Sequence, residues 1–316
     1  MSAPLRLGTR ASELATTQSG HVAASLRARL GREVELVHVT THGDTSRAPL
    51  AQMGGTGVFV SALREALLAG EVDLAVHSLK DIPTYAAEGI TLAAVPERED
   101  PRDVLVARDG LTLGELPPGS RVGTGSPRRA AQLAALGLGL EIVDLRGNVG
   151  TRVAKVTDGE LDAVLLARAG LARLGKLDLV TEALDPLQML PAPGQGALAV
   201  ECRSADTDLV AALATLDHAP TRAAVVAERA VLATLEAGCS APLGALAEVA
   251  EGEHGEELWI RAVAVSHDGR HQVRCQGSGD PADAPGIGNR LAEQMLAEGA
   301  AELIAQIENP VKDQQA

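Results

Sequence analysis

The sequence predicts an α/β protein of three domains: two lobes with an active-site cleft between them, and a small C-terminal α+β domain. Three observations carry this expectation. Over the first two-thirds of the chain, short apolar runs alternate with helical stretches, a rhythm that builds parallel sheets with crossover helices. Pro191-Ala192-Pro193-Gly194-Gln195-Gly196 reads as a hinge, and Ala197–Cys202 as a strand returning toward the first domain. Beyond a strong helical stretch at Thr221–Glu236 the pattern becomes strands joined at a turn. At 316 residues the chain is also too long for one core. The expected boundaries are residues 1–98 with 197–216 for the first lobe, 99–196 for the second, and 217–316 for the last domain.

Each element has a local reason. Leu5–Gly8 is a short apolar strand, Ser12–Leu30 a helix opened by a serine cap, and Glu33–Thr40 a strand. Val58–Ala69 has helical periodicity and stops at Gly70, after which Val72–Ser78 reads as a continuous buried strand. The charged turn Pro96–Arg102 restarts the pattern. Val104–Ala107 and Arg121–Gly123 follow as strands, Arg128–Leu136 as a helix, Glu141–Leu145 as a strand, Asn148–Thr157 as a helix and Leu161–Ala167 as a strand. The last domain comprises Leu243–Ala250, Leu258–His267 and Gln272–Gln276, with an Asp268-Gly269 hairpin turn and one final helix from Gly288 to about Ile307.

Composition excludes several functions. Phe59, Tyr85 and Trp259 are the only aromatic residues, so base-stacking platforms for nucleic acid are missing. A formal charge of -14 opposes binding along a phosphate backbone. Cys202, Cys239 and Cys275 are widely spaced and form no metal-binding pair, which argues against a disulfide framework or a zinc site. No apolar run is long enough to span a bilayer, and Met1–Arg10 has no export pattern. The expectation is a cytoplasmic protein that uses no nucleic acid, membrane or metal.

Against this acidic background the arginines collect at glycine-rich turns. Arg10 follows Gly8-Thr9, Arg128 and Arg129 follow Gly123-Thr124-Gly125-Ser126-Pro127, and Arg146 and Arg152 bracket Gly147-Asn148-Val149-Gly150-Thr151. Only four of the 28 basic residues are lysines, a bias that explains arginine over lysine but not its placement at successive strand ends. Guanidinium groups beside exposed backbone N–H groups make an anion pocket. Gly123-Thr124-Gly125-Ser126-Pro127-Arg128 lacks the third glycine of a dinucleotide fingerprint, and Gly54-Gly55-Thr56-Gly57 lacks the ending of a phosphate loop. The latter segment reads as a lid or a tight turn.

Ser78-Leu79-Lys80-Asp81 ends an apolar strand before Pro83. Taken alone it is either a solvated turn or a carboxylate placed to stabilise a cation and move a proton. Cys239, in Gly238-Cys239-Ser240, sits in a loop open to thiol chemistry, whereas Cys202 reads as a buried strand residue. Phe59 is read as core packing or as a ligand contact. A two-lobed binding module for small anions, without catalysis, would account for the lobes, hinge and arginines equally well.

Together these segments resemble the porphobilinogen deaminase family, also called hydroxymethylbilane synthases. The resemblance rests on Arg10-Ala11-Ser12, Val76-His77-Ser78-Leu79-Lys80-Asp81-Ile82-Pro83, Pro96-Glu97-Arg98-Glu99-Asp100-Pro101-Arg102-Asp103, Leu145–Arg152, Pro193-Gly194-Gln195-Gly196-Ala197 and Gly238-Cys239, in order over roughly residues 5–250. It implies lobes built like periplasmic binding proteins and a monomer. It also implies a dipyrromethane cofactor held as a thioether on Cys239, and condensation of four porphobilinogens into hydroxymethylbilane with loss of ammonia. By resemblance Asp81 is catalytic. The cofactor would be held by Ser12, Ser78, Lys80, Thr124, Ser126, Arg128, Arg129, Arg146 and Gly147. Arg10, Arg146, Arg152, Arg173, Gln18, Gln195 and Phe59 would meet substrate. Carboxylates accumulate on such a growing chain, and each charge-assisted hydrogen bond to one contributes roughly 1.5–3 kcal/mol. The chain departs from the family's usual pattern at His42, Gln52, Thr56 and Pro127.

Overall fold

The computed structural model describes residues 3–40, 58–238, 241–253 and 255–305. His42, Gln52, Thr56, the glycine segment and Cys239 lie outside them, as does the side chain of Phe59. One compact unit runs to Glu99 and takes in Gly196–Arg222; the other comprises Asp100–Gln195 and the chain from Ala223 onward.

The first unit is built on strands β1 (Leu5–Thr9), β2 (Val34–His38), β3 (Leu74–Ser78), β4 (Ile90–Ala94) and β10 (Leu198–Arg203), in the order β2-β1-β3-β10-β4. The β1 strand is parallel to β2 and β3, while β10 runs antiparallel to β3 and β4. Helix α1 (Glu13–Leu30) begins where Ser12 Oγ accepts from the Ala15 N–H and ends at Gly31, whose φ of 60° supplies the left-handed stop. It buries Val22, Ala23 and Leu26 against Leu5, Leu7 and Val76. Helix α2 (Val58–Leu68) packs Leu63 and Leu67 against Val72 and Ala75. A buried ionic cluster pins it further. Arg64 donates from Nη2 and Nε to the two oxygens of Glu201, at 2.6 and 3.0 Å, and His77 Nε2 lies 3.3 Å from Glu201 Oε2.

The second unit repeats the sheet pattern. Strands β5 (Asp103–Ala107), β6 (Arg121–Gly123), β7 (Glu141–Val143), β8 (Ala163–Ala167) and β9 (Glu182–Ala183) lie in the order β7-β6-β8-β5-β9. Again three strands are parallel, and the next, β5, is antiparallel to its neighbours. Helices α3 (Pro127–Ala135), α4 (Val149–Thr157) and α5 (Arg168–Arg173) follow β6, β7 and β8 in turn. Leu105, Val122 and Leu165 belong to one core cluster, Val104, Val164 and Leu166 to another, as alternation along the strands requires.

The same unit carries an antiparallel sheet of β11 (Leu243–Gly252), β12 (Gly255–Val265) and β13 (Gln272–Gly279). Its core face packs on helix α7 (Ala219–Thr234) and helices α8 (Ala284–Ala297) and α9 (Ala300–Ala305). Leu246, Val263 and Val265 pack with Ala131 and Leu190. The Asp268-Gly269 turn abuts α3 so closely that a Cβ at Gly269 would collide with the Ala134–Ala135 backbone.

Three expectations change. The sheets are mixed rather than parallel, because β5 and β10 enter against their neighbours. The final helix is two helices, broken at Gly299 with φ 92°. Strands β4 and β9 and helices α5 and α6 (Thr207–Ala214) are additional to the elements read from the sequence.

Candidate active site

In the first unit the proposed residues gather at one edge of the sheet. Because β1 and β3 are neighbouring parallel strands, their C-terminal ends bring Arg10 and Ser12 beside Ser78, Lys80 and Asp81. Gln18, buried on α1, ties the two ends together by donating from Nε2 to Ser78 Oγ at 3.2 Å. Ser19 Oγ donates to Thr9 Oγ1 at 2.8 Å, fastening the helix to the end of β1. After Ser78 the chain makes one tight turn, Leu79–Asp81, with the Leu79 N–H donating to Ala197 O at 3.0 Å. Leu79 is fully buried and Asp81 is exposed, so the turn anchors through its apolar member and presents the carboxylate.

In the second unit the starts of α3, α4 and α5 line the C-terminal ends of three adjacent parallel strands, where helix N-termini favour anions. Ser126 caps α3, accepting from the Arg129 N–H, and Asn148 caps α4, accepting from the Thr151 N–H at 2.9 Å. Gly125 is required here, since a Cβ would lie 2.5 Å from Leu145 O and drive the two loops apart. Thr124 is buried; its N–H donates to Val143 O and its Oγ1 accepts from the Ser126 N–H. Gly147, at φ 114°, offers its carbonyl to Arg152 Nε at 2.8 Å. Arg146 is exposed, and Arg152 and Arg173 are half-buried.

Asp103 organises this edge, and the sequence reading gave it no role. Because β5 is antiparallel, its first residue lies opposite Ala167, where the parallel strands end. The carboxylate is fully buried, with Arg129 Nε and Nη2 donating to Oδ1 at 3.0 and 2.8 Å. Arg128 Nη2 lies 2.8 Å from Oδ2, and Gln195 Nε2 donates to Oδ1 at 2.8 Å. Burial alone would push the Asp103 carboxyl upward, but the charges of Arg128 and Arg129 and the bonds from Arg129 and Gln195 outweigh it, leaving it at about 2. Its sequence signals were a charged residue beside an apolar strand and a place at the end of the Pro96–Asp103 segment.

The arginines exceed the acids around them. Arg152 is held below the usual guanidinium range by burial first, and then by the like charges of Arg129 and Arg146, with Asp144 opposing. Arg128 is lowered by burial, Asp103 opposing and Arg129 adding. A guanidinium keeps its charge through such lowering, so Arg128 and Arg152 add to the positive field of this edge. Arg146→Leu should therefore keep the fold and lower kcat/KM for a carboxylated substrate about tenfold or more, the loss of one charge-assisted bond. Steady-state kinetics on the purified variant checks this, and unchanged kinetics would remove Arg146 from the site.

Paired sheets of one topology, each with arginine and hydroxyl side chains at the ends of its parallel strands, define an α/β protein with a donor-rich edge on each sheet. Comparison with known families makes this specific. Residues 5–211 match the family model described as porphobilinogen deaminase, dipyromethane cofactor binding domain, and residues 222–297 match the porphobilinogen deaminase C-terminal domain. The porphobilinogen deaminase of Nocardia farcinica is 60% identical over 309 residues, covering 96% of this chain and 89% of that protein. Those of Mycobacteroides abscessus and Mycobacterium tuberculosis are each 60% identical over 305 residues, covering 95% of this chain and 99% and 98% of theirs. The chain belongs to the porphobilinogen deaminase family. Among solved structures, a periplasmic substrate-binding protein of an ABC transporter from Coxiella burnetii overlays on 69% of this chain and 93% of its own, at 16% identity and a TM-score of 0.42. No helix among the described residues is long and apolar enough to cross a membrane.

Proposed function

We propose that this chain condenses four porphobilinogens head to tail into hydroxymethylbilane, on a dipyrromethane joined to Cys239 through a thioether. The observation that carries this reading is the surplus of guanidinium groups around Asp103. Among the described residues Arg128 Nε is buried with no hydrogen-bond partner, and Arg152 sits among like charges. A ligand bearing several carboxylates is the chemical complement of such an edge. The donor set therefore fits the cofactor, and when bound that group supplies the nucleophilic pyrrole carbon from which the chain is extended.

The protein's own residues divide the remaining work. Arg128, Arg129, Arg146 and Arg152, with Thr124, Ser126 and the Gly147 turn, hold acetate and propionate groups from the second unit; Arg10, Ser12, Ser78 and Lys80 do so from the first. Arg173, Gln18, Gln195 and Phe59 complete the substrate contacts, Gln195 through its bond to Asp103. In each cycle a C–N bond of porphobilinogen breaks with release of ammonia, and a C–C bond forms to the preceding pyrrole, which gives up its α-proton. The Asp81 carboxylate stabilises positive charge spread over the pyrrole nitrogen and holds the proton in transit. Hydrolysis releases the finished bilane. The enzyme works as a monomer in the cytoplasm.

Intact mass of the purified protein tests the reading. It should exceed the sequence mass by a dipyrromethane, and acid–aldehyde reagent should colour the protein as a pyrrole. Cys239→Ser should lose both signals. An active protein of unmodified mass would overturn the cofactor assignment.

A further inference from the structure

Helix α1 buries Gln18, Ser19, Val22, Ala23 and Leu26. The three farther along the helix are apolar, and the two nearer the edge where Arg10, Ser12 and Ser78 gather are polar. Gln18 is bonded to Ser78, whereas Ser19 is bonded to the end of β1. Of the residues that β1 buries, Thr9 alone is polar, and it is as fully buried as Ser19. Ser19 Oγ donates to Thr9 Oγ1 at 2.8 Å. The single Thr9 hydroxyl proton has Ala15 O at 3.1 Å and Arg10 O at 3.3 Å within reach. Thr16 Oγ1 donates to the same Arg10 carbonyl at 3.4 Å. Hydroxyls from the strand end and from the helix thus converge on one peptide oxygen, that of the arginine that follows β1.

Stability alone does not call for this arrangement. Burying a hydroxyl costs free energy that its hydrogen bond offsets, and replacing both partners by apolar groups of similar shape is nearly neutral. An apolar pair would fill the same space between α1 and β1. It could not steady the Arg10 carbonyl. We propose that Thr9 and Ser19 are positioning residues: their hydroxyls fix the Arg10 peptide and so the direction in which its guanidinium reaches a carboxylate of porphobilinogen. This rests on the substrate role of Arg10 given above. Arg10 keeps its charge with or without the hydroxyls, so what they add is orientation, and its loss is read in substrate binding.

The experiment uses the full chain as purified, with porphobilinogen as substrate. Thr9→Val combined with Ser19→Ala should leave the thermal midpoint within about 2 °C of the parent, since no buried partner is left unsatisfied. The same double variant should raise KM for porphobilinogen about three- to tenfold while kcat stays within about twofold. Thr9→Ser keeps the hydroxyl and should keep the parental KM. An unchanged KM in the folded double variant overturns the proposal, whatever happens to its midpoint. So does a KM that rises equally in Thr9→Ser, because the methyl group would then matter and not the hydroxyl. Should the double variant not fold, Ser19→Ala decides alone. It removes the donor that orients the Thr9 hydroxyl and should raise KM about twofold or more, and parental kinetics there would overturn the proposal. A wild-type chain that leaves porphobilinogen unconsumed sinks the assigned activity itself. Wild-type turnover with parental KM in the variants sinks only the positioning by Thr9 and Ser19.

Discussion

Asp81→Ala should keep its fold and lose turnover by about 10²–10⁴-fold, the range expected when a positioned acid–base or charge-stabilising group is removed. The expectation of an intact fold follows from the turn it sits on. Leu79 anchors that turn in the core and the Leu79 N–H is bonded to Ala197 O, whereas Asp81 is exposed. Among the described residues its side chain makes no hydrogen bond or ion pair, so truncation leaves nothing unpaired. Asp81→Asn should be nearly as inactive, because it keeps shape and removes charge. The thermal midpoint and kcat of both variants are the measurements. Normal kcat in either would take Asp81 out of its role, and a collapsed midpoint would show the turn to be structural.

The largest effect on stability is expected at Glu201. Its carboxylate is held by Arg64 and His77 with little access to water, and Glu201→Leu leaves the Arg64 charge without its partner. Breaking a buried pair in this way costs about 3 kcal/mol or more. The contribution also depends on pH with a definite sign. Burial pushes the Glu201 carboxyl upward, and the His77 and Arg64 contacts more than reverse this, leaving it at about 2 against an ordinary 4.5. A depressed carboxyl stabilises the fold fully above its unfolded value, and the stabilisation is lost as pH falls from 4.5 toward 2. Urea unfolding of parent and variant near neutrality and across that acid range measures both effects. Their stabilities should converge as the pH drops, and a constant gap would mean the glutamate acts by packing rather than charge.

Much of this protein can be read along the chain, because most of its site residues follow strands whose apolar runs are local. Ser12 is recognisable as a cap from the residues next to it, and Arg146 and Arg152 stand within one short stretch, the turn after β7 and the first turn of α4. Asp103 is different. Its place beside Arg128 and Arg129 depends on β5 running against β6 and β8, and a pattern of apolar residues gives a strand but not its direction. The Arg64–Glu201 pair joins positions 137 apart, which no local periodicity could bring together. The break at Gly299 was lost for the opposite reason: helical residues on both sides masked the stop.

The antiparallel β10 strand also orders the birth of the molecule. Every strand of the sheet β5–β9 lies between Asp103 and Ala183, so that sheet is complete while the ribosome is still supplying the rest. The first sheet is not. Strand β3 ends at Ser78, but its neighbour on one side arrives only with Leu198–Arg203, and until then its backbone edge stands open and β4 has nothing to pair with. The N-terminal sheet, synthesised first, is therefore the one that must wait, and its open edge is the nascent chain's point of exposure to wrong partners.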